Sequence, residues 1–172
     1  MGVLSGPELL RRAAGIRLLI LDVDGVMTDG RLHYDAKGRE FKTFHVRDGY
    51  GIRRVMDAGI AVAVISGRRS LSASGRMAEL GIRHVMLGRN DKEAALDELL
   101  ANLGIAAAEV ACVGDDAPDL PVMKRVALPI AVADCHASVA DAAAWRTSMP
   151  GGAGAVREVC DLLLAARTKS EG

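Results

Sequence analysis

The sequence predicts an α/β protein, a doubly wound and mostly parallel sheet with one projecting β-hairpin. Two observations predict the sheet. Short continuous apolar runs, the pattern of strands buried on both faces, recur along the chain, separated by segments with apolar residues at helical spacing. Several of these runs end abruptly in polar residues, as strands do where their carboxyl ends line a ligand crevice.

Each element has its own signal. A short helix is expected over 8–14. Leu-Leu-Ile-Leu at 18–21 is a core strand that ends in Asp22 and Asp24, followed at once by Gly25. Residues 31–35 and 39–46, either side of Ala36-Lys37-Gly38, read as a hairpin too polar to join the core, ended by Asp48-Gly49. Residues 50–58 place Ile52, Val55 and Met56 at helical spacing before Gly59 stops them. A strand over 60–65 ends in Ser66-Gly67-Arg68. A helix over 71–80 closes at Gly81 and leads to a strand over 84–87. Asp91 caps a helix over 92–103 that Gly104 closes. A strand over 110–113 ends in Gly114-Asp115-Asp116, and Pro118 suits the first turn of the next helix. A strand over 130–133, a helix over 137–144 and a short sixth strand within 145–149 follow. Residues 151–154 read as a flexible joint into a last helix over 155–166, with 169–172 expected to fray. No repeat or linker divides the 172 residues, so one domain is expected.

Composition narrows the function classes. Half the residues are hydrophobic and formal charge balances to zero, which argues against disorder and gives no general reason to expect nucleic-acid or membrane binding. Aromatics are too scarce for a base-stacking platform. Cys112, Cys135 and Cys160 are odd in number and widely spaced, so neither a zinc site nor a disulfide framework is expected, and a cytoplasmic location fits. The N-terminus lacks a signal peptide's apolar stretch, and Gly6 stands where myristoylation needs Ser or Thr. No segment approaches the ~20 apolar residues that span a bilayer.

The chemistry sits at the strand ends. Two carboxylates there resist joint ionisation unless a cation joins them, and Mg²⁺ favours one or two carboxylates plus phosphate and water. The spacing excludes an EF-hand loop, whose fifth position would be Val26. Ser66, with main-chain N–H groups around Gly67, can hold a phosphoryl oxygen. Lys92 opposes the dipole at a helix start, which makes sense beside a bound anion. Asp115 is a natural further oxygen donor for the metal. Asp119 reads as its support and Asp116 stays open.

Asp-x-Asp, Ser, Lys and Gly-Asp-Asp-x-x-Asp, in that order, resemble the four motifs of the haloacid-dehalogenase (HAD) phosphohydrolase superfamily. That resemblance implies an HAD-like Rossmannoid sheet and Mg²⁺ held by Asp22, the Asp24 main-chain carbonyl and Asp115. It implies Asp22 as nucleophile forming an aspartyl-phosphate, Asp24 as general acid and base, and Ser66 and Lys92 on the phosphoryl group. The gaps between motifs leave no room for a cap domain. Over almost its whole length the chain resembles the capless 3-deoxy-D-manno-octulosonate 8-phosphate (KDO 8-phosphate) phosphatase family. Asp-Val-Asp-Gly-Val-Met-Thr-Asp-Gly at 22–30, Val-Arg-Asp-Gly-Tyr-Gly-Ile at 46–52, Ile-Ser-Gly-Arg at 65–68, Gly-Asp-Asp-Ala-Pro-Asp at 114–119 and Gly-Ala-Val-Arg-Glu-Val-Cys at 154–160 carry it. The family implies a phosphomonoester hydrolase of lipopolysaccharide precursor synthesis, working as a homotetramer with shared sites. It implies substrate contacts from His45, Val46, Arg47, Asp48, Gly49, Arg53, Arg68, Arg76 and Lys92. His45 departs from the Asn usual there.

Three other readings compete. A nine-carbon 2-keto-3-deoxy sugar acid phosphate would use the same chemistry. A receiver-like phosphorylation switch shares the sheet type, but lacks an acid two residues beyond its phosphorylated Asp. A catalytically silent HAD-like module is the third, and any Mg²⁺-dependent turnover would dismiss it.

Overall fold

A computed structural model of the chain describes residues 6–170. The expectations placed on Met1-Gly2 and on fraying at 171–172 lie outside the described residues.

The chain opens with α1 (Gly6–Ala14) and enters β1 (Leu18–Leu21). Two short strands, β2 (His33–Tyr34) and β3 (Glu40–Phe41), form the hairpin before α2 (Val46–Asp57). Then come β4 (Ala61–Ser66), α3 (Leu71–Leu80), β5 (His84–Leu87), α4 (Lys92–Leu103) and β6 (Val110–Gly114). After a 3₁₀ turn at Ala117–Asp119 follow α5 (Leu120–Met123), β7 (Leu128–Ala131), α6 (Ala137–Ala140), β8 (Trp145–Arg146) and α7 (Ala155–Ser170). The main sheet is parallel throughout in the order β5-β4-β1-β6-β7-β8. The chain leaves β1 towards β4 and later returns to its other side at β6, so the motif-bearing strand sits at the switch in strand order.

The central strands β4, β1, β6 and β7 bury both faces. Leu19 and Leu21 join one core with Val62, Val64, Ala111 and Val113, under α1, α2 and α7. Leu18 and Ile20 point the other way, into a second core with Leu96, Leu99, Val122 and Met123 of α4 and α5. This is why these strands show continuous apolar runs without polar alternation.

Four expectations need correction. The hairpin is far shorter than 31–46, because the second run stops at Phe41 and α2 begins at Val46. His45 ends it, its Nδ1 accepting the Arg47 N–H at 3.2 Å as an N-cap. Gly49 and Gly51 therefore lie inside the helix, where their missing Cβ atoms admit Arg76 and the Arg157–Cys160 face of α7. β7 begins two residues early, through Pro129. The Pro129 carbonyl accepts from Ala144 on the β8 side, so its absent N–H faces the side where β8 has not yet begun. The helix expected over 137–144 stops at Ala140, and the last helix runs on to Ser170. Finally, 151–154 is packed rather than loose. The Gly152 N–H donates to the Val26 carbonyl at 3.0 Å, and a Cβ on Gly151 would lie 1.8 Å from the Gly25 carbonyl oxygen.

Candidate active site

The carboxyl ends of β1, β4 and β6 and the start of α4 converge on a cleft of about 560 Å³, lined by Asp22, Asp24, Ser66, Arg68, Lys92 and Asp115 among others. Asp22 follows β1 directly and is tied to β6 by its N–H, which donates to the Val113 carbonyl at 3.3 Å. Gly25 turns the chain at φ 89°, and a Cβ there would sit 2.0 Å from Asp115 Oδ2. Only glycine lets the β1 turn and the β6 carboxylate approach this closely. Ser66 is buried at the end of β4.

Lys92 is 4% exposed at the start of α4, a place its charge would not choose without partners. Its Nζ donates to Asp119 Oδ1 at 2.7 Å and lies 3.0 Å from Asp22 Oδ1. Burial opposes the lysine's charge, but the pull of Asp22 and Asp119 outweighs it and holds its pKa above the ordinary value. Asp119 Oδ2 accepts the N–H groups of Asp115 and Asp116 at 3.0 and 3.4 Å. With both oxygens engaged, Asp119 holds Lys92 and the β6 turn in place.

Asp22 and Asp115 are the two carboxyls of the cleft held above the ordinary range. Asp22 is pushed up to about 6, first by burial and then by the Asp119 charge, against the pull of Lys92. Asp115 is pushed up to about 7, again by burial first and then by Asp119, Asp22 and Asp116. Asp22 Oδ1 is buried without an aligned hydrogen bond. Carboxylate oxygens of Asp22, Asp115 and Asp119 all lie within 4.8 Å of one another. Such a set suits a hard divalent cation, which would remove the repulsion that raises both values.

Asp24 lives differently. Its Oδ1 takes a 2.5 Å hydrogen bond from Lys42 Nζ, and Arg68 Nε stands 3.7 Å from its Oδ2. Lys42 and its neighbour Glu40 were not among the residues expected here. Their signal was the strand period: Glu40, Lys42 and Phe44 turn inward, while Phe41 and Thr43 are exposed. Glu40 Oε2 accepts from Arg68 Nη2 at 2.7 Å and its Oε1 lies 3.4 Å from Lys42. A hydrogen bond from Ser70, then those from Arg68 and Lys42, hold Glu40 at about 2 against its burial. The base of the hairpin thus folds over the cleft.

The remaining expected residues fall in three places. Arg68 lines the cleft. His45 caps α2, Val46 is 79% exposed, and Arg47 faces a separate hollow beside Arg157 and Glu158. Asp48 is buried, its Oδ1 accepting the Arg157 N–H at 2.8 Å, so it fastens α7 to α2. Gly49 packs against Arg76. Arg53 donates to the Glu79 carbonyl at 2.7 Å and Arg76 to the Glu79 carboxylate at 2.8 Å, along the α2–α3 seam. Neither Arg53 nor Arg76 lines this chain's own cleft.

A family profile described as haloacid dehalogenase-like hydrolase matches residues 83–157. The 3-deoxy-D-manno-octulosonate 8-phosphate phosphatase KdsC of Yersinia pestis is 50% identical over 165 residues, 96% of this chain and 88% of its own. The crystal structure of the Yersinia pestis phosphatase superposes with a TM-score of 0.94 at 49% identity, covering 98% of this chain and 91% of that one. The Moraxella catarrhalis phosphatase, solved in complex with magnesium ion, phosphate ion and KDO, gives 0.93 at 38% identity, covering 97% and 96%. Identity of this depth over nearly the full length of both chains carries the same conclusion as the three strand ends and the helix start. The chain belongs to the 3-deoxy-D-manno-octulosonate 8-phosphate phosphatase family of the haloacid-dehalogenase superfamily.

Proposed function

We propose that this chain is a magnesium-dependent phosphomonoesterase that hydrolyses KDO 8-phosphate to the free sugar acid and phosphate, in the cytoplasm, for lipopolysaccharide precursor synthesis. The observation that carries the reading is the strand-end constellation: Asp22 between Lys92 and Asp115, with Asp24 held apart by Lys42. The Moraxella relative, with magnesium, phosphate and KDO bound, supports the substrate and the metal.

Asp22, the Asp24 carbonyl and Asp115 would hold Mg²⁺, which neutralises phosphoryl charge when bound. Asp22 attacks phosphorus in line, and its new bond to phosphorus forms as the bond to the sugar oxygen breaks. Asp24 protonates that leaving oxygen, then takes a proton from the water that cleaves the aspartyl-phosphate. Lys92, fixed by Asp119, and the Ser66 hydroxyl bind the phosphoryl oxygens, so their charge is met by groups already in position. Arg68, which lines the cleft, would pair with the sugar acid's carboxylate, a role its fork geometry suits.

The unit is read as one capless phosphatase domain working as a homotetramer. Leu32, Tyr34 and Phe41 on the hairpin, with Val46 and Tyr50 on α2, are all exposed, and neighbouring hairpins would cover them. Substrate contacts by His45, Val46, Arg47, Arg53 and Arg76 are part of the same proposal, because these side chains reach a cleft only across such an interface. Three free cysteines fit the cytoplasm. The test is phosphate release with Mg²⁺ across a panel of sugar phosphates, including eight- and nine-carbon keto acids. KDO 8-phosphate should give the highest kcat/KM. A clear preference for the nine-carbon acid would move the assignment, and no Mg²⁺-dependent turnover on any member would end it.

A further inference from the structure

Around Asp24 the charges close into a ring. Asp24 Oδ1 meets Lys42 Nζ at 2.5 Å, Lys42 meets Glu40 Oε1 at 3.4 Å, Glu40 Oε2 meets Arg68 at 2.7 Å, and Arg68 Nε returns to Asp24 Oδ2 at 3.7 Å. Signs alternate around it. The Lys42 side chain is 1% exposed, and burying an ammonium this completely just past the two-residue strand β3 is costly unless its partners hold it.

The two oxygens of Asp24 are not equivalent. Oδ1 accepts a charged hydrogen bond, whereas Oδ2 is buried with no hydrogen-bond partner. A lysine ammonium has donors only, so Oδ1 serves it as an acceptor and Oδ2 is the oxygen left uncommitted. We propose that Lys42 is a positioning residue for the reaction: it occupies Oδ1, fixes the Asp24 carboxyl by its hairpin tether, and leaves Oδ2 as the oxygen free to serve the leaving group. The proposal rests on Asp24 being the general acid, as read above. When the phosphorus–oxygen bond to the leaving group breaks and the Asp22–phosphorus bond forms, the proton passes from Oδ2 to the departing oxygen. Glu40 has the lesser part of holding Lys42 and Arg68 at their stations. The hairpin thereby acts on the chemistry of its own chain.

Leaving-group dependence separates this role from a structural one, because proton donation matters most for the poorest leaving group. The experiment measures kcat/KM for parent, Lys42→Met, Lys42→Arg and Glu40→Gln on a series of substituted aryl phosphates with Mg²⁺, alongside thermal melts. Aryl phosphates lack the sugar, so a lost sugar contact cannot produce the effect. Lys42→Met should lose only about threefold on the most acidic leaving group and about a hundredfold on the least acidic, with the plot against leaving-group pKa steepened. Lys42→Arg should recover most of that slope, and Glu40→Gln should fall between. Equal losses along the series, or a parental slope, would overturn the role of Lys42. If Lys42→Met does not fold, a parental slope in Glu40→Gln together with uniform loss in Lys42→Arg does the same. A parent series indifferent to Asp24→Asn would instead strike the acid assignment itself.

Discussion

Asp22 and Asp24 are two residues apart and sit in different surroundings. Asp22 is buried against carboxylates and pushed up to about 6, while Asp24 is held by a lysine. An amide at 22 is a poor nucleophile, so Asp22→Asn should fold and lose activity on the order of 10³-fold or more, measured as Mg²⁺-dependent phosphate release. Activity within tenfold of the parent would remove Asp22 from that role. The upward shifts of Asp22 and Asp115 also fix a pH dependence for the metal-free protein. The folded state binds these protons more tightly than the unfolded chain does, so their contribution to stability is fully present below the ordinary carboxylate pKa of ~4. It is lost as pH rises through about 6 and about 7. With chelator present, the melting temperature should fall between pH 5 and 8, and Mg²⁺ should raise it most at the upper end. A chelated protein whose melting temperature is flat or rising over that window would contradict the account. That the carboxylates, Ser66 and Lys92 share one cleft was legible in sequence because each lies at a strand end or helix start. Lys42 was not, because a lysine in a polar run gives no sign of which residue it will reach in three dimensions.

The elements that position these groups were legible wherever a local rule decided them. Leu71–Leu80 and Lys92–Leu103 begin at Ser70 and Asp91 caps and end at Gly81 and Gly104 in left-handed conformation, as their residues indicate. Where tertiary packing decided, local rules misled. Gly49 suggests an interruption but lies inside a helix, close against Arg76 and Leu80, and residues 151–154 suggest slack but form a tight seam. That seam yields a test. A Cβ at residue 151 would meet main chain on the β1 turn, the Gly25 oxygen at 1.8 Å and the Thr28 oxygen at 3.0 Å, and main chain cannot swing aside. Gly151→Ala should therefore cost ~3 kcal/mol or more and impair activity through the displaced turn. A melting temperature within about 2 °C of the parent's would show that the seam yields freely.

At the scale of the whole molecule, the parallel order β5-β4-β1-β6-β7-β8 explains why residues from 22 to 119 share one cleft. The exposed apolar side chains of the hairpin belong to the proposed assembly. Leu32→Glu with Phe41→Glu should shift light scattering from tetramer towards monomer and reduce turnover of the sugar phosphate more than that of a small aryl phosphate. An unchanged tetramer would place the interface elsewhere. The most direct measurement of the central claim is to mix Asp24→Asn with KDO 8-phosphate and Mg²⁺, quench in acid, and map the phosphoryl group by peptide mass. One phosphoryl group is expected on the peptide bearing Asp22, absent when chelator replaces Mg²⁺ and absent in Asp22→Asn. A phosphoryl group on another residue would contradict it, as would continued phosphate release by Asp22→Asn.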